Sequence, residues 1–334
     1  MLLIPLIALF VCSCIRDYPL DFPDTTETLY VSAQISNRDT AHVFFLSLSS
    51  GDKLKSPVAD SRVECREGSS LLAVSDSVWN CESDDRIMGV RLPKVAEPGH
   101  EYRFDFYSGD HHAYSVVRLE PEYTLSPSLD TLSVPSKKEF GMKFYERFAI
   151  VFKDIPGQRS YYQASDTLKG RLSFWKEGAQ EPVFSDELVF LGSLSSYNPL
   201  LKDENSYVSP DLTMLSGTDG EGGNNELLLL SDYSFQDSEF SIYYDCFESH
   251  FLSGNWGVMK DKYDYYTVTC ITSLSLLPED QFRYLSLLIS GGALGNNILN
   301  EPVIFPDNII DGYGFVGVTT VCDIEIDLGR REKS

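Results

Sequence analysis

The sequence lacks an excess of basic residues, a second long apolar run and a recognisable catalytic motif. Its 50 acidic residues outnumber its 27 basic ones, for a net charge of −23. This argues against a nucleic-acid partner, because phosphates are bound by Lys and Arg. Beyond Cys14, no stretch is apolar and long enough to predict a membrane-spanning helix. The motifs GxSxG and HExxH are absent, so we do not predict an enzyme.

Histidine is also scarce, with five residues in the chain, and this limits the metal sites that the sequence could form. His111 and His112 are adjacent in a predicted hairpin. Neighbouring residues of a strand point to opposite faces, so the two rings are not expected to share a metal. The cysteines show no CxxC spacing. We therefore predict no metal and no cofactor.

An acidic loop between residues 192 and 226 offers an alternative cation site. It lacks strand periodicity, and a loop of this length in a compact domain is usually functional or disordered. Its acid and amide side chains do not follow the spacing of a twelve-residue calcium loop, so we interpret the segment as a solvated loop. These side chains belong to Asp219, Glu221, Asn224 and Asn225.

The chain begins with an uncharged apolar stretch that ends in small residues. The run from Leu2 to Val11 is too short to span a bilayer and fits the core of a signal peptide. Residues 11–14, VCSC, have the form of a lipobox, whose last cysteine receives lipid. Cys14 fits this role better than Cys12, which follows two bulky residues. We expect the acyl chains on Cys14 to anchor the protein in a membrane. The alternative is an ordinary secretory signal.

Five further cysteines follow Cys14, and an exported chain meets an oxidising compartment in which disulfides form. Cys65 and Cys81 flank a turn-rich stretch, and we predict that they form a disulfide that contributes about 3 kcal/mol. The other three cysteines alternate with apolar residues in predicted strands, so we expect them to face the core as small hydrophobes. They are Cys246, Cys270 and Cys322.

Short alternating runs of β-branched and aromatic residues recur between turn residues and predict a mainly β fold. Strands with few helices between them favour antiparallel sandwiches over a parallel α/β sheet. One short helix is expected after Pro278, ending near Gly291. The clearest predicted strands cover residues 28–36, 41–49, 100–107, 113–119, 144–152, 170–175, 240–247, 265–276 and 315–328.

Composition divides the chain into a signal peptide at 1–14, a tether at 15–26 and two β-rich units. We predict an immunoglobulin-like or prealbumin-like sandwich over residues 27–120. The proline- and serine-rich residues 121–135 predict a linker. The remaining residues, 136–334, predict a larger antiparallel β-rich domain with one short helix.

Aromatic residues make up 13% of the chain. Exposed rings on a rigid sheet stack on sugars and anchor protein interfaces, so an aromatic surface patch is one interpretation. The alternative is that aromatic residues simply favour strands and sandwich cores. The last predicted strand also carries Asp323, Glu325 and Asp327 on one face, and this pattern is typical of a solvated sheet face.

Several segments of the chain resemble those of a known family. The C-terminal third contains TSLSLLPEDQFRYLSLLIS and then NEPVIFPDNIIDGYGFVGV, and two other segments read LLLLSDYSFQDSEFSIYY and PGHEYRFDFYSGDHHAYS. With the lipobox, these resemble a family of Bacteroidetes outer-membrane lipoproteins, the domain of unknown function 4249. Its glycine-rich turn lacks the strand and helix of a nucleotide site, and we interpret it as a turn into the last strand. The turn contains Asn308, Ile309, Gly312, Gly314 and Gly317.

The resemblance implies an outer-membrane, surface-facing lipoprotein of a Gram-negative bacterium. Genes of this family often lie beside those of TonB-dependent transporters, and the family brings no established catalytic residues. We therefore expect a binding or accessory protein in nutrient capture, with a glycan or peptide as ligand. The alternatives are a fimbrial subunit or adhesin, and a hydrolase with unrecognised acids.

Replacing the predicted lipidation site should release the protein from the membrane. We expect Cys14→Ser to move the protein from the membrane fraction to the soluble fraction, because the lipid is the attachment. Cys12→Ser is the matched control and should remain in the membrane fraction. Fractionation and mass spectrometry of the mature N-terminus measure both variants, and an unmodified Cys14 in the native protein would contradict the prediction.

Overall fold

The computed structural model describes residues 27–50, 53–55, 57, 60–82, 84–123, 128–132, 138–139, 142–165, 167–194, 200, 206–209, 227–247, 263–294 and 306–332. The predicted mainly β fold is confirmed. The described strands are β1 Thr28–Ser36, β2 Ala41–Ser50, β3 Lys53–Lys55, β4 Arg62–Glu67, β5 Ser70–Val74, β6 Ser77–Cys81, β7 Asp84–Pro93, β8 Glu101–Ser108, β9 His111–Arg118, β10 Ser128–Leu132, β11 Lys138–Glu139, β12 Met142–Lys153, β13 Tyr161–Ala164, β14 Thr167–Trp175, β15 Phe184–Leu194, β16 Ser206–Ser209, β17 Leu227–Ser231, β18 Glu239–Phe247, β19 Tyr265–Leu277 and β20 Tyr313–Glu332.

The N-terminal half packs two sheets against each other. Strands β20, β1, β2, β7 and β6 are neighbours in one sheet, and β5, β4, β8 and β9 form the other. Alternating residues of the central strands point into the shared core, as in β1, where every second residue is buried, whereas β5 and β6 at the ends of the two sheets have no buried residue. Phe44 of β2 meets Phe104 and Phe106 of β8, with ring centroids 5.1 and 5.5 Å apart. These aromatic contacts join the two sheets.

The last strand, β20, belongs to both halves of the molecule. Its first part, Tyr313 to Thr319, pairs in parallel with β1, and its later part pairs antiparallel with β19 from Thr320 onward. Val316 and Val318 are buried in the core of the N-terminal sandwich, although they lie almost 200 residues beyond its predicted end at residue 120. The C-terminal end of the chain therefore completes the N-terminal core.

A short segment before β20 closes the side of the N-terminal sandwich. The side chain of Asn308 exchanges two hydrogen bonds of 2.8 Å with the backbone of Val316. Ile309 is buried in the core, and Ile310 exchanges backbone hydrogen bonds with Tyr114 of β9. Because β9 and β20 lie in opposite sheets, this segment links the two sheets along one side.

The glycines of the sequence motif allow close packing around β20. At Gly314 φ is +118°, and a Cβ there would overlap the carbonyl oxygen of Val31 on β1. At Gly317 a Cβ would overlap the amides of Gln34 and Gln281, which hydrogen-bond to each other at 2.8 Å. The glycines predicted to form a turn into the last strand therefore allow β20 to pair closely with β1, because Gly314 and Gly317 leave no room for a side chain.

The C-terminal half is built on the continuation of the same sheet. From β20 the strand order runs β19, β14, β15, β18, β12 and β10, and the buried faces of these strands form a second core. The predicted helix is confirmed as α1, Glu279–Leu294. Its Phe282 and Leu285 pack against Leu229 of β17 and Leu277 of β19. The ring of Tyr284 stacks on Phe315 of β20, with centroids 4.3 Å apart.

Two segments contain more strand than composition predicted. The predicted linker at 121–135 includes β10, which pairs antiparallel with β12. The predicted loop at 192–226 includes β16, which pairs antiparallel with β17. Both strands are short edge elements, and each pairs with a strand that follows it along the chain. In the described part of the chain, none of the helices is long and apolar enough to cross a membrane.

Substituting the glycine that contacts β1 should destabilise the whole chain. We expect Gly314→Ala to lower the free energy of unfolding by about 2–4 kcal/mol, since it adds steric overlap to an unfavourable backbone conformation. Gly329→Ala is the matched control on the same strand, with φ of +76° and open space around it. That variant should lose about 1–2 kcal/mol. Urea unfolding measures both, and equal losses would contradict the close packing at Gly314.

Candidate functional site

The outer face of the four-stranded sheet carries a connected group of charged and aromatic side chains. Strand alternation places Val63 and Cys65 of β4 in the core, and therefore directs Arg62, Glu64 and Arg66 outward. The register pairs these three outward residues with three outward residues of β8, and β8 with β9. The outward residues of β8 and β9 are Arg103, Asp105, Tyr107, His112, Tyr114 and Val116.

Asp105 lies at the centre of this face and is almost fully covered by its neighbours. Its side chain is 3% exposed. The guanidinium of Arg103 donates to it from Nε at 3.0 Å and from Nη2 at 2.7 Å. His112 Nε2 lies 3.0 Å from Oδ1, and Arg66 Nε lies 3.5 Å from Oδ2. One carboxylate therefore orients three cationic or donor side chains.

Glu64 accepts hydrogen bonds from two arginines of the same face. Arg66 Nη2 donates to Glu64 Oε2 at 2.8 Å, and Arg62 Nε donates to Oε1 at 3.3 Å. The Glu64 side chain is 13% exposed, whereas that of Arg62 is 52% exposed. The carboxylates thus lie beneath the guanidinium groups, and the surface that meets solvent presents mainly cations and N–H donors.

Aromatic rings extend the same layer. The Tyr107 ring stacks on His112 at 4.7 Å between centroids, and His112 stacks on Tyr114 at 6.2 Å. The guanidinium of Arg62 lies 4.3 Å from the Tyr107 ring, and that of Arg103 lies 3.8 Å from the Tyr114 ring. Such cation–π contacts hold arginines in place. We name this surface the arginine–tyrosine face; it consists of Arg62, Arg66, Arg103, Tyr107, His112 and Tyr114.

The electrostatics of Asp105 favour its charged form. Burial alone would raise the pKa of the Asp105 carboxyl, but hydrogen bonds from Arg103 and His112, with the charges of both, lower it below its usual value. The same contacts raise the pKa of Arg103. The face therefore keeps its ion pairs at neutral pH and can offer fixed donors to a ligand.

A cleft of about 400 Å³ lies at the junction of the two halves. This volume would suit a small ligand. Arg159, in its wall, has its guanidinium 5.9 Å from the Tyr161 ring and 4.7 Å from the Tyr233 ring. Burial raises the pKa of both Tyr161 and Glu120. The lining comprises residues 120–123, Ile155, 158–161, Leu276, Leu277 and Glu279.

Buried carboxylates fix the wall of this cleft. Tyr162 donates to Asp154 Oδ1 at 2.6 Å, and the backbone N–H of Asp237 donates to Oδ2 at 2.9 Å. The backbone N–H of Ser160 donates to Asp232 Oδ2 at 2.7 Å. Burial, with the Asp154 carboxylate, raises the pKa of Tyr162. The cleft wall is thus a rigid polar structure, but its charged groups are mostly acidic.

The cysteines differ from one another in their placement. Cys65 and Cys81 are not joined by a disulfide. Their strands, β4 and β6, belong to opposite sheets, and Cys65 is packed into the core, where burial raises the pKa of its thiol to about 12. Cys270 is buried in the second core and Cys322 is half-buried, in line with their predicted orientation. Cys14 lies outside the described residues.

The predicted histidine arrangement is also observed. His112 contacts Asp105 on the outer face, whereas His111 Nε2 lies 3.8 Å from Glu27, so the two rings have different partners. No group of three or more His, Cys, Asp or Glu among the described residues is arranged to hold a metal ion. Asp219, Glu221, Asn224 and Asn225, which we interpret from the sequence as part of a solvated loop and not as a cation site, lie outside the described residues.

The acidic stripe of β20 is exposed, as predicted. Asp323, Glu325 and Asp327 are exposed, and Ile324 between them is buried. Two of the acids form ion pairs, Asp323 with Arg38 and Glu325 with Arg171.

The arginines and tyrosines of the candidate site were not identified from the sequence. The alternation in RVECR, YRFDFY and HHAYSV marks their outward positions, but only the register brings them together.

Removing the charge of Asp105 should weaken the fold in a pH-dependent way. We expect Asp105→Asn to lower the free energy of unfolding by about 1–3 kcal/mol at pH 7, because it removes charged hydrogen bonds. The native pKa is lowered, so this contribution is present above about pH 4 and is lost as the pH falls through the folded value. Denaturant unfolding from pH 7 to pH 3 measures it. Asp110→Asn, in the exposed adjacent turn, is the control, and a pH-independent gap would contradict the prediction.

Comparison with known proteins identifies the family. No curated protein matches the sequence. A family model described as "Domain of unknown function (DUF4249)" matches residues 15–324, which is most of the chain. The match includes both halves and the shared strand β20 as far as residue 324. The chain therefore belongs to the family of the domain of unknown function 4249.

Proposed function

We propose that this protein is a lipid-anchored, surface-facing outer-membrane binding protein that captures a ligand and passes it to a TonB-dependent transporter. The arginine–tyrosine face supports the proposal best. It presents exposed, preorganised donors on a rigid sheet, and the side chains that hold them are themselves hydrogen-bonded. Binding sites of this kind lose little conformational entropy when a ligand arrives.

The strand arrangement favours this proposal over the fimbrial alternative. Fimbrial assembly needs a sheet edge that accepts a strand from the next subunit. Here the edge of the N-terminal sandwich beside β1 is already filled by the chain's own β20. We assign no catalytic residues, and the role in ligand capture depends on binding alone.

Association with a transporter is the direct test of the accessory role. We expect affinity purification of the native protein from outer membranes in mild detergent to recover a TonB-dependent transporter. The Cys14→Ser variant is the control, since it should not reach the membrane and should recover none. Recovery of no transporter above background would contradict the proposal, and recovery of a self-associated ladder of this chain would favour the fimbrial alternative.

A further inference from the structure

The arginine–tyrosine face has a specific donor chemistry. Arginine has five N–H donors and no acceptor. The two carboxylates that contact the arginines of the face are covered, at 3% exposure for Asp105 and 13% for Glu64, whereas the exposed Glu101 lies at the end of β8 opposite Arg118. Arg62 uses Nε for its contact with Glu64, so its terminal nitrogens can still take an oxyanion as a bidentate pair. A ligand for this face should therefore carry acceptors and negative charge.

The cations are spaced along the sheet. Arg66 and Arg103 are directly opposite each other on β4 and β8. Arg62 lies four residues along β4, and a strand rises about 3.3 Å per residue, which places it roughly 13 Å away. Exposed apolar side chains flank them, with Leu71 and Val74 on one edge and Val116 on the other. This layout fits an extended chain with repeated charges better than a single small anion.

We propose that the arginine–tyrosine face binds an acidic carbohydrate, a sugar chain that carries carboxylate or sulfate groups. This inference rests on the proposed function and names the ligand class of the same face. Carboxylates or sulfates pair with the arginines, sugar hydroxyls bond to the tyrosine hydroxyls, and ring C–H groups contact the flanking apolar side chains.

Other polyanions fit less well. A nucleic acid gains its affinity from many phosphate contacts, more than the three arginines of this face provide. An extended peptide usually gains affinity from main-chain hydrogen bonds at a sheet edge, and the face of a sheet offers none. The open face also lacks the enclosure that small-molecule sites use. An acidic carbohydrate needs neither a sheet edge nor an enclosed pocket.

Matched polymers test the inference on the full mature chain. Isothermal titration calorimetry would use oligogalacturonate against its methyl ester, and dextran sulfate against dextran. Poly-glutamate serves as the polyanion without sugar. We expect the charged member of at least one pair to bind, its neutral partner to bind at least about tenfold more weakly, and salt to reduce the affinity. Poly-glutamate should bind more weakly than the charged sugar.

Variants locate the binding on the face. Arg62→Gln should weaken binding about tenfold, because it removes charged hydrogen bonds, and Arg62→Lys should retain part of the affinity, since it keeps the charge without the planar fork. Arg91→Gln, on the exposed face of the other sheet, is the control and should change the affinity by less than about twofold. Thermal unfolding confirms that each variant is folded.

The outcomes separate this inference from the proposed function. Equal binding of charged and neutral sugars, tighter binding of poly-glutamate, or no binding of any polymer would each overturn the acidic-carbohydrate assignment. An unchanged affinity in Arg62→Gln would overturn the assignment to this face. Recovery of a transporter from membranes would still support the proposed function in all of these cases.

Discussion

The parallel pairing of β20 with β1 is the constraint on which the rest of the structure depends. It brings residues near the C-terminal end of the chain into the N-terminal core, and the same strand then continues into the second sheet. Asn37, just beyond β1, continues the pairing through its side chain, which accepts from Val321 N at 2.8 Å and donates to Val321 O at 3.1 Å. The two halves therefore share one strand, and both cores contain residues of the C-terminal segment.

The segment that links the two sheets of the N-terminal sandwich also contacts a strand of the arginine–tyrosine face. The segment at Asn308 to Ile310 ties β9 to β20, and β9 carries His112 and Tyr114. The side chain of Tyr114 thus belongs to the arginine–tyrosine face, and its backbone hydrogen-bonds to Ile310 of the segment that links the two sheets. The four-stranded sheet and the covered carboxylates of Glu64 and Asp105 hold the arginines in one arrangement. In an acidic protein, this placement gives a local cationic surface without an overall positive charge.

Periodicity predicted much of the fold but little of the site. Strands such as β1, β2, β8, β9 and β19 lie close to their predicted bounds, because their side chains alternate between core and solvent. The shared role of β20 could not be predicted, since it depends on contacts such as that of Asn37 with Val321, 284 residues apart. The disulfide predicted between Cys65 and Cys81 rested on their positions around a turn-rich stretch, which does not show that Cys65 lies in the core or that β4 and β6 belong to opposite sheets. The arginine–tyrosine face could not be predicted, because its side chains meet only through the register of β4, β8 and β9.

The central claim is that the ligand binds on the arginine–tyrosine face and not in the junction cleft. Hydroxyl-radical footprinting of the full mature chain, with and without the acidic oligosaccharide, tests it most directly. The side chains of Tyr107, His112 and Tyr114 should be protected by the ligand, whereas Tyr233, which is 67% exposed beside the cleft, should be oxidised at an unchanged rate. Protection of Tyr233, with unchanged oxidation of Tyr107 and Tyr114, would contradict the account.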